Sequence, residues 1–283
     1  MIRSVLLSLG LVVAVQGQAV MAEPAPAFLN NGVTAHRGSS TAFPENTLAA
    51  FEDAIRLGAD WVELDIRETA DGQILVCHDA TTRRTGDRDL EVAKSTYTEL
   101  SQVDVGTDFR RRNGLDLAQC PPARMPLLKE VLVLFMKQNR TRVSLQPKDG
   151  CTEAAVQLLR ETGALAWAGF NDGSLEKMSL VKKLEPGLPV FWDRPARGDL
   201  TKDVATALER GFEALVLEHS GLTGEKVRQI LAAGLEAGGW TVNDEAEMRL
   251  LLSLGVRRLY TDDPALLLRL RAEASLPKGK AED

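Results

Sequence analysis

Eight times between residues 33 and 272, a short apolar run is followed by a segment whose apolar residues recur at helical spacing. The apolar runs are 33–35, 61–66, 143–145, 165–168, 188–192, 214–217, 235–242 and 258–261. The helical segments are 47–57, 127–139, 154–161, 175–184, 200–210, 225–233, 246–254 and 264–272. In the first of these, Leu48, Phe51, Ile55 and Leu57 fall on one side. In the second, Leu128, Val131, Leu132, Phe135 and Met136 do so. Strict alternation of this kind specifies βαβ units and a parallel sheet. Eight such units predict an α/β fold, a closed (β/α)8 TIM barrel, and 283 residues suit one. No glycine-rich dinucleotide fingerprint follows the first strand, which disfavours an open doubly wound sheet. Residues 80–125 fit no helix and read as a long loop or small insertion after a hairpin on the second strand. Asn46 or Thr47 caps the first helix, and Asp263 with Pro264 caps the last. The tail after residue 276 is polar.

Charge and composition narrow the function classes. The net charge of -6 and pI of about 5.3 leave no basic surface for nucleic acid. The one basic run, Arg110-Arg111-Arg112, reads as a solvated loop. Residues 1–22 combine Arg3, an apolar run from Val5 to Val15 and small residues ending at Ala22, which predicts a secretory signal peptide. That apolar run is shorter than the roughly 20 residues that span a bilayer, so no stable membrane anchor is expected after cleavage. The mature protein, 23–283, is then periplasmic or secreted. Cys77 lies in an apolar strand as a small hydrophobe. Cys120 and Cys151 sit in loop contexts and are expected to bridge in an oxidising compartment, the alternative being three free thiols.

In such barrels the reactive groups stand at the C-terminal ends of the strands. Here those ends carry His36-Arg37-Gly38, Glu63 and Asp65, Gln146-Pro147-Lys148, Trp192-Asp193-Arg194, Glu218-His219 and Trp240-Thr241-Val242-Asn243. Acidic residues are poor strand formers, so Glu63 and Asp65 on one strand need a reason. Asp71-Gly72 signals a hairpin, and a two-residue turn centred there sets Asp65 opposite His78. Glu63 shares the face of Asp65. The two carboxylates repel one another unless a cation lies between them, and oxygen donors suit magnesium or calcium.

Taken together, Ala35-His36-Arg37-Gly38, Pro44-Glu45-Asn46-Thr47, Glu63-Leu64-Asp65, Asp71-Gly72, His78-Asp79, Arg84-Thr85, Trp240-Thr241-Val242-Asn243 and Thr261-Asp262-Asp263-Pro264 resemble the glycerophosphodiester phosphodiesterase family. The resemblance covers about residues 33–270. It implies a phosphoric diester hydrolase that converts a small glycerophosphodiester to glycerol phosphate and an alcohol with a divalent cation, Mg2+ or Ca2+. It casts His36 and His78 as the acid-base pair and Glu63 and Asp65 as metal ligands. Arg37 and Lys148 would hold the phosphoryl oxygens. Trp240 either walls the pocket against glycerol or a headgroup, or is a core residue. The chain departs from the family at Gln146, where a third, acidic ligand is usual; Gln146 offers an oxygen without a charge. Glu218 is a spare ligand candidate and His219 a rim residue. Two other readings remain at this stage: a secreted barrel that binds phosphodiesters with weak or no activity, and a phospholipase D-like enzyme acting on lysophospholipid or sphingolipid headgroups.

Overall fold

The computed structural model describes residues 27–275. The signal-peptide expectation for 1–22 and the tail after 276 lie outside the described residues. In chain order the elements are β1 Val33–His36, α1 Leu48–Leu57, β2 Trp61–Glu68, β3 Ile74–Val76, α2 Tyr97–Leu100, α3 Thr107–Asn113, α4 Leu128–Met136 and β4 Arg142–Pro147. They continue with α5 Thr152–Thr162, β5 Ala168–Asp172, α6 Leu175–Leu184, β6 Val190–Arg194, α7 Leu200–Arg210 and β7 Ala214–Glu218. The last are α8 Gly224–Ala232, β8 Glu236–Trp240, α9 Glu245–Ser253, β9 Arg258–Thr261 and α10 Pro264–Ser275.

Strands β1, β2, β4, β5, β6, β7, β8 and β9 pair in parallel in that order, and β1 returns to β9 to close the barrel. The period-2 alternation of β2 sets its two faces. Val62, Leu64 and Ile66 pack outward in the main core with Phe51, Leu128 and Phe135. The opposite face, starting at Trp61, looks into the barrel. There Trp61, Phe191, Ala214, Val216 and Tyr260 fill the floor as a separate apolar cluster. The layer above it is polar: Glu63, Asp65, Ser144, Asn171 and Asp193 are all buried. An apolar plug below and polar groups above point to the C-terminal mouth as the place for chemistry in this architecture.

Local sequence sets the helix ends. Thr47, Ser174, Asp199, Thr223 and Asp244 each accept a first-turn backbone N–H through the side chain. Asp263 does the same for α10, accepting Leu266 N at 2.9 Å. Thr47 is thus the cap of α1, and Asn46 is free for another task. The apolar run 165–168 is a strand only at its last residue: 165–167 is a 3-10 turn, and β5 begins at Ala168.

Of the two readings of 80–125, the small insertion holds and the bare loop does not. The segment carries a 3-10 turn, α2 and α3, and buries Val92, Leu100, Val103, Val105 and Met125 against Leu75 and Cys77. Leu75 and Cys77 point away from the main core, so the hairpin needs a cover, and this segment supplies it. The basic run lies on α3, where Arg111 and Arg112 pair with Asp108. The expected Cys120–Cys151 bridge is absent: all three cysteines are free and buried. Cys151 belongs to the main core, its thiol 3.6 Å from the Ile66 carbonyl oxygen, while Cys120 lies in the 80–125 segment.

Candidate active site

The site begins where β1 ends. Arg37 takes φ of 58°, an uncommon left-handed conformation for a residue with a side chain, and Gly38 follows at 84°. A Cβ at Gly38 would lie 2.7 Å from the Cβ of Ala50 and 2.8 Å from its backbone, so only glycine fits. Strain of this kind costs about 1–3 kcal/mol and persists only where its surroundings hold it. Here the Arg37 N–H donates to Glu63 Oε2 at 3.2 Å, its carbonyl accepts Asn46 N–H at 3.0 Å, and its guanidinium meets Glu45 Oε1 at 2.9 Å. Asn46, itself at φ of 58°, donates Nδ2 to Asp65 Oδ2 at 2.8 Å and accepts Asp65 N at 3.3 Å. The Pro44-Glu45-Asn46 loop therefore clamps the β1 turn to the acidic strand.

Glu63 and Asp65 are both buried, but their surroundings differ. Asp65 has Lys148 Nζ at 3.0 Å and Arg37 Nε at 3.3 Å. Burial opposes its ionisation, yet these two cations outweigh it and hold the carboxyl below its ordinary value. Glu63 has a backbone N–H and, at 4.0 Å, His36 Nε2. Burial, reinforced by the charge of Asp65, lifts its carboxyl to about 7.

The return strand does not follow the expected register. β3 pairs Ile66 with Val76, Arg67 with Leu75 and Glu68 with Ile74. The connection is a three-residue loop closed between Thr69 and Gln73, with Gly72 at φ of 73°. The added residue shifts the ladder by one, so Asp65 lies opposite Cys77, whose N–H donates to the Asp65 carbonyl at 3.0 Å. His78 follows the end of the ladder and reaches the cavity because the chain turns there. Its carbonyl is held by Arg67 Nε at 2.9 Å.

Each histidine presents Nδ1 to a carboxylate. His36 Nδ1 is 2.8 Å from Asp262 Oδ1, and His78 Nδ1 is 2.6 Å from Asp79 Oδ1. A carboxylate at Nδ1 fixes the proton there and leaves Nε2 as the working nitrogen. Their titrations diverge. Burial disfavours the charged form of His36, but the hydrogen bond to Asp262 and the charge of Glu63 outweigh it, and its pKa is raised. Burial prevails at His78, against Asp65 and Asp79, and its pKa is lowered. The His36 bond in turn overcomes the burial of Asp262 and pulls that carboxyl down to about 2.

These groups line one cavity of about 550 Å³ at the barrel mouth. His36, Arg37, Glu63, His78, Gln146 and Lys148 face it; Asp65 lies beneath, bound to Lys148 and Arg37. Trp240 is a rim residue, 36 % exposed and lining the cavity, not a core tryptophan. Glu218 also lines it and accepts Ser220 Oγ at 3.1 Å. His219 turns to Glu247 at 2.5 Å, outside the cavity lining. Gln146 lies across the ladder from Asp65; its Oε1 accepts from the Lys148 ammonium and its Nε2 donates to Asp193 Oδ2 at 3.0 Å.

Among the described residues, no three His, Cys, Asp or Glu side chains stand as a ready cation cage. The donor chemistry nevertheless suits a hard divalent cation. The carboxylates of Glu63 and Asp65 and the Oε1 of Gln146 are oxygen donors, and Asp193 Oδ1 is buried without any hydrogen-bond partner. The ammonium of Lys148, resting on Asp65 Oδ1 and Gln146 Oε1, marks where positive charge belongs.

Three groups escape a reading of the sequence alone: Asp262, at a strand end beside the helix cap Asp263, Asp79, directly after His78, and Asp193, at the end of β6.

Residues 36–266 match the model of the glycerophosphoryl diester phosphodiesterase family. A glycerophosphodiester phosphodiesterase of Bacillus altitudinis is 29% identical over 85% of this chain and 98% of its own length. One of Caldanaerobacter subterraneus subsp. tengcongensis is 30% identical over 84% and 96%. The solved glycerophosphodiester phosphodiesterase of Agrobacterium tumefaciens shares the fold, with a TM-score of 0.71 at 24% identity over 84% of this chain and 99% of that one. A phosphodiesterase of Oleispira antarctica, solved with its product sn-glycerol-3-phosphate, superimposes with a TM-score of 0.71 at 25% identity over 84% and 95%. With the barrel, the strained β1 turn and the acidic hairpin already in place, the match over most of the length leaves one conclusion: the chain belongs to the glycerophosphoryl diester phosphodiesterase family.

Proposed function

We propose that this protein hydrolyses small glycerophosphodiesters to glycerol phosphate and an alcohol, with a divalent cation and with His36 and His78 as the acid-base pair. The observation that carries the reading is the pair of imidazoles, each held at Nδ1 by a carboxylate, opening on one cavity with Glu63, Arg37 and Lys148. Phosphodiester cleavage needs a base for the attacking hydroxyl and an acid for the departing alkoxide. Environments that push two like groups apart assign those roles. His78, with its lowered pKa, is neutral near pH 7 and takes the proton of the attacking hydroxyl at Nε2. His36, with its raised pKa, keeps a proton to give to the leaving oxygen.

Arg37 and Lys148 bind the phosphoryl oxygens, each exchanging part of its contact with Asp65 for the substrate. Trp240 walls the mouth against the glycerol or the headgroup. Mg2+ or Ca2+ held by Glu63, Asp65 and Gln146 would polarise a phosphoryl oxygen and neutralise charge that develops on it. The leader-like composition of residues 1–22 supports reading the mature chain as periplasmic or secreted.

The test is turnover of purified protein on glycerophosphocholine, glycerophosphoethanolamine and glycerophosphoglycerol, before and after chelation. Release of glycerol phosphate, abolished by chelator and restored by Mg2+ or Ca2+, is the expected result. No product from any diester, with either ion present, refutes the activity. Turnover that chelation leaves intact refutes the cation.

A further inference from the structure

The cavity's charges do not balance in the way its hydrogen bonds suggest. Asp65 takes both nearby cations, Lys148 and Arg37. Asp193, on β6 across the barrel, takes none. Its Oδ2 accepts two neutral amides, Asn171 Nδ2 at 3.1 Å and Gln146 Nε2 at 3.0 Å. Its Oδ1 has no partner at all, although the side chain lines the cavity and the residue is only 9% exposed. The neighbouring Arg194 does not serve it. That guanidinium stacks on Trp192 at 4.1 Å and pairs with Asp203 at 3.0 Å. A buried carboxyl with a bare oxygen and no counter-charge is costly to ionise unless something else completes it, and burial with the charge of Glu63 lifts this one to about 7.

Gln146 explains how the carboxylate is tolerated at this place. A glutamate at 146 would set a second negative charge against Asp193. The amide instead donates to Asp193 with Nε2 and keeps Oε1 turned to the cation side, where Lys148 lies. Residues 146 and 193 thus act as one unit, with the negative charge on β6 and a neutral oxygen on β4.

We propose that Asp193 joins Glu63 and Asp65 as a ligand of the cation site, its bare Oδ1 drawn in by the ion and supplying the charge that Gln146 does not, since the three carboxylates as they stand form no cage. The inference rests on the cation reading given under Proposed function. It means that Gln146 is not a loss of charge at the site but half of a transposition.

The experiment uses the intact protein and Mg2+ or Ca2+ alone, read by calorimetric titration and by the rise in melting temperature that each ion produces. Asp193→Asn removes the charge and keeps the shape. Its affinity is expected to fall by about tenfold or more, since oxygen sites are tuned by ligand charge, and its ion-induced rise in melting temperature should shrink. Without ion it should melt close to the wild type, because burial lifts the Asp193 carboxyl to about 7 and the amide replaces a group already partly neutral, and this separates ligand loss from misfolding. The double variant Gln146→Glu with Asp193→Asn moves the charge back to β4 and is expected to recover most of the affinity. Unchanged affinity in Asp193→Asn, with wild type binding normally, overturns this proposal alone. No binding of either ion by the wild type overturns the cation reading and this inference with it.

Discussion

Replacing Asp262 by Asn tests the acid half of the proposed reaction without touching an imidazole. Asp262 Oδ1 accepts from His36 Nδ1 at 2.8 Å and from Ser40 Oγ at 2.9 Å, and Oδ2 accepts Asn243 Nδ2 at 2.7 Å. An asparagine has one acceptor oxygen. At the Oδ1 position it keeps His36 and Ser40 and faces Asn243 Nδ2 with a second donor; at the Oδ2 position it keeps Asn243 and turns its nitrogen to Ser40 and His36. Either way the charge opposite His36 is lost. A hydrogen bond to a charged partner is worth about 1.5–3 kcal/mol. At about 1.4 kcal/mol per tenfold, that alone predicts a loss of roughly 10- to 100-fold in kcat/KM. An amide nitrogen turned toward Nδ1 would enforce the wrong tautomer and deepen the loss towards about 10⁴-fold, as when a triad aspartate is amidated. The direction of the pH effect is fixed as well. Burial opposes the protonation of His36, and Asp262 is the chief group that overcomes it. With the charge removed, His36 gives up its proton at lower pH, so the alkaline limb of kcat/KM moves to lower pH while the acidic limb, set by His78, stays in place. The assay is a pH series of initial rates on glycerophosphocholine for both proteins, with melting curves as a control on folding. A variant whose kcat/KM stays within about threefold of wild type, with an unmoved alkaline limb, would refute the reasoning.

The remaining predictions concern the same molecule from other sides. Changing His36 or His78 to Ala should lower turnover by roughly 10²–10⁴-fold with Mg2+ binding kept by the His78 variant; loss of folding with normal specific activity would make His78 structural. Because burial lifts Glu63 to about 7, a proton competes with the cation below that pH, so Mg2+ or Ca2+ affinity should rise between pH 6 and 8 and binding should release protons; a flat affinity across this range argues that Glu63 is no ligand. Asp262, depressed to about 2, stabilises the folded state above the ordinary carboxylate value and loses that contribution as pH falls towards 2, so acid unfolding of Asp262→Asn should be less steep over this interval. Thiol titration of oxidised protein should find the cysteines unreactive when folded and all three reactive when denatured, since they are buried and free and burial pushes the Cys77 thiol up to about 12; recovery of a single thiol would restore the Cys120–Cys151 bridge.

What the sequence determined by itself was everything governed by short-range repetition. Apolar periods of two and of 3.6 place strands and helices wherever each element has one face to bury, and eight such units close into a barrel. The strand ends then locate the cavity lining, so His36, Glu63 and Lys148, with Asp65 just beneath, can be picked out from the sequence. Even a local signal failed where spacing is a matter of one residue. Asp71-Gly72 reads as a two-residue turn, but Gly72 is the left-handed third residue of a longer loop, and that alone moves Asp65 from His78 to Cys77. The run at 165–167 is as apolar as a strand, yet it forms a turn. The 80–125 segment has no period because its helices are short and exist to cover Leu75 and Cys77. Tertiary structure decided the rest. The carboxylate that orients His36 lies 226 residues away on the other side of the barrel seam, and the one that receives Gln146 lies 47 residues away on β6. Such partners share no period and no local signal, because closing the sheet sets β9 beside β1 and turns side chains of β4 and β6 toward one axis.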